Sequence, residues 1–116
     1  MKNVRVVLSE DAKKVYSYLN SKAENSKTER MILKSINEKI EFIKNNMQYG
    51  DAIAKNLIPE EFKIKYNVKN LYRVELPAFW RMIYTVVDNE KVEVVAFVLT
   101  ISDHQSYNKL FGYRKK

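Results

Sequence analysis

The feature that most constrains this chain is an almost unbroken apolar run near its end, VEVVAFVLTI at residues 92–101. Glu93 is the one charged residue within it. A strand with one solvated face alternates apolar and polar residues, whereas a run without that alternation is typical of a strand buried on both faces. We therefore predict a central strand at residues 92–101, covered on both sides of its sheet.

The segments before this run predict its antiparallel partners. Apolar and polar residues alternate in LYRVEL and again in WRMIYTVV, with PAF as an interruption between them and DNEK as a turn after them. Together with the apolar run, these segments predict a three-stranded antiparallel meander. Alternation places Leu71, Arg73 and Glu75 on one face of their strand. In the next strand Arg81 points away from Trp80. If the register allows it, Arg73 and Arg81 share one face of the sheet.

The N-terminal half predicts a strand followed by a helical hairpin. VRVVL at residues 4–8 is rich in β-branched residues, and Ser9 suits a helix N-cap. Apolar residues then recur at three- and four-residue spacing over residues 12–23 and again over 33–47. Ser26 and Glu29 have the spacing of a capping box. Gly50 is predicted as the left-handed C-cap of the second helix.

Residues 51–70 give no single prediction. A helical turn is predicted before Pro59, which interrupts it. The segment FKIKY alternates apolar residues with lysines, as a short strand does, but the two glutamates before it suit a helix start equally well. Both alternatives stay open.

The last segment, TISDHQSYNKLFGYRKK, predicts a short closing helix. Ser102 and Gln105 form another capping box, so the helix is predicted over residues 102–111. The order of elements is then an N-terminal strand, a two-helix hairpin, a three-stranded antiparallel meander and a short C-terminal helix. This order defines an α+β fold class. With 116 residues, two glycines and two prolines, the chain is predicted to be a single domain spanning residues 1–116.

Composition narrows the function classes. Cysteine is absent and histidine occurs once, which excludes disulfides, thiolate zinc sites and cysteine nucleophiles and argues against a metal centre. The N-terminus has no apolar run of the kind found in signal peptides or membrane spans, so we expect a cytoplasmic protein without membrane contact. The net charge of +7 predicts attraction to polyanions or to an acidic protein partner.

The single histidine is a candidate for chemistry. His104 falls on the first turn of the predicted closing helix, where free backbone N–H groups attract anions and disfavour the imidazolium. Tyr107 lies one turn further along the same face. Together with Arg73 and Arg81, these groups would hold a phosphodiester and move protons around it. Each has an ordinary structural reading as well: a surface histidine, an apolar stripe on a helix, and arginines that are solvated or paired with Glu75.

At these residues the sequence resembles a known family. The block NLYRVELPAFWRMIYTVVDNEKVEVVAFVLTISDHQSY is similar to the C-terminal half of the RelE/ParE superfamily of type II toxins, mainly through WRMIY and DHQSY. The preceding strand and helical hairpin also follow the order of that family. The resemblance implies a RelE-like fold and a small cytoplasmic toxin that is neutralised by an antitoxin segment wrapped around it.

The resemblance also implies a chemistry. RelE-like members enter the ribosomal A site and cut mRNA with the nucleotide's own 2′-OH as nucleophile, without metal or cofactor. Arg81 matches the arginine that contacts the scissile phosphate, and Arg73 matches a basic residue of the preceding strand. His104 falls where relatives have arginine or histidine, and Tyr107 matches the aromatic residue that helps to position the substrate. We also expect basic residues to bind RNA: Lys63, Lys65, Lys109 and Arg114.

Two departures from the family pattern matter. Glu75 stands where some members have a second basic residue, so it either acts as a base or pairs with Arg73. The tail NKLFGYRKK continues beyond the aromatic residue at which several active relatives end. Two alternatives therefore stay open beside the nuclease: a ParE-like gyrase inhibitor without enzymatic activity, and a solitary protein of this fold that only binds an antitoxin or nucleic acid.

Overall fold

The computed structural model describes residues 4–99. Five strands and three helices follow one another in this part of the chain: β1 (Arg5–Leu8), α1 (Glu10–Lys22), α2 (Lys27–Asn45), β2 (Asp51–Ala52), α3 (Glu60–Tyr66), β3 (Tyr72–Glu75), β4 (Trp80–Asp88) and β5 (Lys91–Leu99). Short 3₁₀ turns at Lys55–Leu57 and Pro77–Phe79 precede α3 and β4. The closing helix predicted at residues 102–111 lies outside the described residues.

The strands form one mixed sheet in the order β1-β5-β4-β3-β2. The meander β3-β4-β5 is antiparallel, as predicted, and β1 pairs with β5 in parallel. The strand predicted to be central is internal, since β5 lies between β1 and β4, although β4 occupies the middle of the sheet. The α+β class and the order of the elements are thus confirmed for residues 4–99.

Apolar cores lie on both faces of the sheet at β5. The side chain of Val94 is fully buried in a core shared with α1 and α2, whereas its fully buried neighbour Val95 belongs to a second core. Phe62 of α3 packs into that second core. Burying an aliphatic side chain of this size contributes roughly 1.5–3 kcal/mol, so the unbroken apolar run fits a strand between two layers.

The predicted starts of the first two helices are confirmed. The Ser9 hydroxyl accepts a hydrogen bond from the Ala12 N–H at 3.1 Å, and it donates one to the Val95 carbonyl at 2.7 Å. The Ser26 hydroxyl caps α2 by accepting from the Glu29 N–H. The prediction for Gly50 is wrong: α2 ends at Asn45 with Asn46 as its cap, and the φ of Gly50 lies outside the left-handed region.

The open segment 51–70 contains a helix and a very short strand. FKIKY belongs to α3, because Phe62 is buried against the sheet while Ile64 is 76% exposed on the opposite side of the helix. Glu60 and Glu61 occupy its first turn, where the helix dipole favours carboxylates. The sequence did not predict β2, whose two residues pair with Arg73 and Tyr72 of β3.

Candidate functional site

The structure brings three of the predicted site residues to one face of the sheet. Glu75 on β3 lies directly opposite Arg81 on β4, and Arg73 lies opposite Ile83, two residues further along β4. Alternation therefore directs Arg73, Glu75 and Arg81 away from α1 and α2. The turn between these strands, Pro77–Phe79, bounds the face at one end and has positive φ angles at Ala78 (58°) and Phe79 (64°).

Glu75 forms an ion pair with Arg81 rather than the pair with Arg73 that the sequence suggested. One terminal guanidinium nitrogen of Arg81 lies 3.1 Å from Glu75 Oε2. The arginine side chain keeps only 22% of its surface exposed, whereas the glutamate side chain keeps 69%. The Arg81 side chain is thus mostly buried, whereas the Glu75 carboxylate is largely exposed to solvent.

A cleft opens where β2 stops pairing with β3. We call it the β3-edge cleft; its volume is about 370 Å³, at the small end of the roughly 300–1,000 Å³ typical of ligand sites. Its lining combines three residues of β3 with residues of α2 and of the chain that follows it. The lining residues are Lys39, Tyr49, Gly50, Asp51, Arg73, Val74 and Glu75.

A buried tyrosine holds the wall of this cleft. The Tyr84 hydroxyl donates to the Met47 carbonyl at 2.8 Å and accepts from the Gly50 N–H at 2.9 Å. Its ring stacks on Tyr72 with 5.2 Å between the ring centroids. Burial raises the pKa of Tyr84 to about 12, although the hydrogen bond from Gly50 opposes the shift. The segment from 47 to 50 is therefore tied directly to the middle strand.

This tyrosine predicts a loss of stability at alkaline pH. Because its folded-state pKa is raised above the usual value of 10.0, the contribution of Tyr84 is complete below pH 10 and falls as the pH rises toward 12. We expect the free energy of unfolding, measured by urea denaturation, to fall less steeply between these pH values in Tyr84→Phe than in the wild type. Equal slopes in the two proteins would contradict the role assigned to this phenol.

The two lysines of α3 lie elsewhere. Lys63 is exposed, and Lys65 forms an ion pair with Asp11 at 2.6 Å, beside a hydrogen bond from the Tyr66 hydroxyl to the same carboxylate. Neither lysine lines the β3-edge cleft. Hydrogen bonds from Lys65 and then Tyr66 hold the pKa of Asp11 below its usual value. Lys65 thus links α3 to the start of α1, and RNA binding by either lysine stays a prediction.

A matched pair of variants tests this assignment. We expect Lys65→Met, but not Lys63→Met, to lower the unfolding midpoint slightly at neutral pH, because only Lys65 has an ion-pair partner on α1. Since the Asp11 pKa is depressed, the difference is present above pH 3.8 and disappears as the carboxylate is protonated at lower pH. Thermal melts at pH 7 and pH 2 measure it, and an equal effect of both variants at pH 7 would refute it.

Four predicted site residues lie outside the described residues: His104, Tyr107, Lys109 and Arg114. Within residues 4–99, no group of three or more histidine, cysteine and acidic side chains is arranged to hold a metal ion. No helix in that same range is both long enough and apolar enough to cross a membrane.

Sequence reasoning missed the contribution of α2 to the site. Lys39 and Tyr49 line the cleft with Arg73 and Glu75, although the chain separates them by more than 20 residues. One signal was present: Phe42 interrupts the polar side of α2, off its apolar stripe, and it is 45% exposed. A single exposed apolar residue is common on protein surfaces, so this signal alone did not identify the site.

Together these elements define a small α+β protein with a charged sheet face beside an open strand edge. The solved structure of the YoeB dimer from Staphylococcus aureus has the same fold, with a TM-score of 0.53 and 23% sequence identity over 81% of this chain and 93% of the YoeB chain. The RelE-like fold predicted from the sequence is thus confirmed. No protein-family model matches the chain, and no curated protein matches it significantly.

Proposed function

We propose that this protein is the toxin of a type II toxin-antitoxin system and cleaves mRNA on the ribosome. The observation that carries the proposal is the convergence of Arg73, Glu75 and Arg81 on one sheet face of a RelE/YoeB-like fold. Two guanidinium groups beside a carboxylate suit a phosphodiester, since arginine binds phosphate oxygens through two parallel hydrogen bonds. The resemblance of WRMIY and DHQSY to RelE-like toxins supports the same reaction.

The ion pair between Glu75 and Arg81 suggests how the substrate enters. A scissile phosphate that approaches Arg81 competes with the exposed carboxylate of Glu75 for the same guanidinium nitrogen. Once displaced, Glu75 stays near the phosphate and is available to accept the 2′-OH proton. The 2′ oxygen then attacks phosphorus, the bond to the 5′ oxygen breaks, and the products end in a 2′,3′-cyclic phosphate and a 5′-OH.

His104 and Tyr107 complete the proposed proton transfers. The described part of β5 ends at Leu99, whose backbone pairs with Trp80, the neighbour of Arg81. His104 follows Leu99 by five residues in the sequence. We assign the proton on the leaving 5′ oxygen to His104 or Tyr107, and Arg73 with Arg81 neutralises the charge that develops on the phosphate.

The proposed partners follow from the charge and from the reaction. With a net charge of +7, the chain attracts both RNA and an acidic antitoxin segment, which would neutralise the basic surface. The ribosome and its mRNA are in the cytoplasm, so we propose that the protein acts there. No step of the proposed reaction requires a metal or a cofactor.

Translating ribosomes with the purified protein test the proposal. We expect primer extension to show mRNA cut in the A site, chemical analysis of the upstream fragment to show a terminal cyclic phosphate, and no cut with the double variant His104→Ala/Tyr107→Ala. Intact mRNA, under conditions in which a control RelE cuts, would refute it. A gyrase supercoiling assay on the same preparations identifies the ParE-like alternative, since inhibition there together with intact mRNA would favour a gyrase inhibitor.

A further inference from the structure

Two exposed aromatic side chains stand beside the β3-edge cleft. Phe42, near the end of α2, and Tyr49, beyond it, keep 45% and 41% of their surfaces exposed. Their ring centroids lie 5.2 Å apart with the planes tilted by 44°. The ammonium group of Lys39 lies 5.7 Å from the centre of the Phe42 ring. We call Phe42 and Tyr49 the aromatic pair.

The aromatic pair is continuous with the charged part of the site. Tyr49 and Lys39 line the β3-edge cleft together with Arg73 and Glu75. Glu75 in turn contacts Arg81 at 3.1 Å. A ligand that has its phosphate at Arg81 would therefore reach the aromatic pair by passing around the open edge of β3, from the face that carries Arg81 to the face covered by α2.

The segment that carries Tyr49 has a defined conformation. The Tyr49 N–H donates to the Asn46 carbonyl at 2.9 Å, and the Asn46 side chain accepts from the Gln48 N–H at 3.1 Å. The Gly50 N–H is bound to the Tyr84 hydroxyl. Because hydrogen bonds fix the backbone on both sides of Tyr49, its ring loses little conformational freedom when a ligand stacks on it.

We propose that the aromatic pair is a stacking platform for a nucleobase of the RNA, next to the nucleotide whose phosphate is held at Arg81. The inference rests on the proposed function and adds a base-binding subsite to it. Every nucleobase presents a flat π surface, and stacking on an aromatic side chain tolerates any sequence. The platform thus contributes affinity and fixes the position of the RNA strand, without selecting a particular base.

The arrangement of charges and rings at the cleft suits a nucleotide better than an acidic protein segment. The lining carries two cations, Lys39 and Arg73, and two carboxylates, Asp51 and Glu75, and Arg81 lies beside it in contact with Glu75. The cations are thus interleaved with carboxylates, and an acidic peptide would meet both. A nucleotide needs only one phosphate contact and one stacked ring, which suits a cleft lined by cations and by the Tyr49 ring.

The chain offers a matched control for this platform. Tyr18 on α1 is 48% exposed, and the Lys22 ammonium group lies 6.0 Å from the centre of its ring. It therefore repeats the chemistry of an exposed ring with a nearby lysine, but it does not line the β3-edge cleft. Tyr18→Ala removes as much aromatic surface as Tyr49→Ala without touching the proposed subsite.

The experiment measures binding of single-stranded RNA without ribosomes and without cleavage. The probe is a short fluorescent oligoribonucleotide with 2′-O-methyl groups, used in a series in which one abasic position moves along the strand, at low salt. We expect one abasic position to weaken binding to the wild-type protein by roughly five- to 150-fold. Tyr49→Ala should weaken binding of the intact probe by the same factor and remove the abasic effect. Tyr49→Phe and Tyr18→Ala should bind as the wild type does.

Other outcomes overturn the inference. These are wild-type affinity in Tyr49→Ala, no abasic effect in the wild type, an abasic effect that persists in Tyr49→Ala, and no RNA binding at all. Unchanged RNA affinity in Tyr49→Ala would leave the aromatic pair as a protein-binding surface. Thermal melts of each variant separate lost binding from lost folding. Because the probe cannot be cleaved, its binding is measured independently of the reaction. An abasic effect without ribosomal cleavage would refute the proposed reaction alone. Cleavage without an abasic effect would refute the platform alone.

Discussion

Arg81→Ala is expected to lower the rate of mRNA cleavage by roughly 100- to 1,000-fold, the usual cost of removing one preorganised donor from the charge that develops in a transition state. The guanidinium of Arg81 is positioned by the strand pair and by Glu75, and only 22% of its side chain is exposed. Water in the space left by alanine would reorient during the reaction, whereas the arginine needs no such movement. Single-turnover cleavage on programmed ribosomes measures the effect.

Two further variants make this expectation specific. Arg5→Ala removes the same charge from an exposed position on β1, at the opposite edge of the sheet, and should cleave as the wild type does. Arg81→Lys keeps the charge but not the planar pair of donors, so it should recover only part of the rate. If Arg81→Ala and Arg5→Ala lose activity equally, general attraction to RNA explains the effect, and the local role of Arg81 is wrong.

The shared face of Arg73, Glu75 and Arg81 followed from the sequence because it depends on local rules. Side chains alternate along a strand whatever the rest of the protein does, and the short interruption PAF between two alternating segments leaves little freedom in their pairing. The register itself, with Glu75 opposite Arg81, needed the structure. A shift of one residue would have brought another side chain opposite Arg81.

The cleft beside that face could not be predicted because it depends on distant contacts. FKIKY suits a strand or a helix locally, and packing of Phe62 against the sheet decides for the helix. The two residues of β2 carry no pattern that sequence can detect. Lys39 and Tyr49 reach the site only because α2 and the chain after it pack beside β3. Each of these features is decided by tertiary structure, which overrides weak local preferences.

Gly50→Ala is expected to destabilise the protein by about 1–3 kcal/mol, the typical cost of adding atoms to a packed site. A Cβ atom there would lie 2.8 Å from the Arg73 carbonyl oxygen, 3.0 Å from Val74 Cγ2 and 3.1 Å from Tyr84 Cε2. The closest of these atoms belongs to the backbone of a strand and cannot rotate away. The sign is diagnostic, because Gly→Ala at an unstrained position normally stabilises a protein by about 0.4–1 kcal/mol through the unfolded state.

Gly50→Ala also tests the cleft, because Gly50 follows Tyr49 in the chain and packs against the backbone of Arg73. If β3 shifts to accept the methyl group, RNA affinity and cleavage should fall together with the free energy of unfolding. Gln48→Ala is the matched control: it lies on the same segment with an exposed side chain, and its stability should stay within about 0.5 kcal/mol of the wild type.

The double variant Gly50→Ala/Tyr84→Phe should lose less stability than the sum of the single losses, because both changes act on one hydrogen bond. Urea denaturation of the wild type, the two single variants and the double variant gives the coupling energy between Gly50 and Tyr84. Strict additivity of the losses would show that the contact between these residues does not hold the cleft wall.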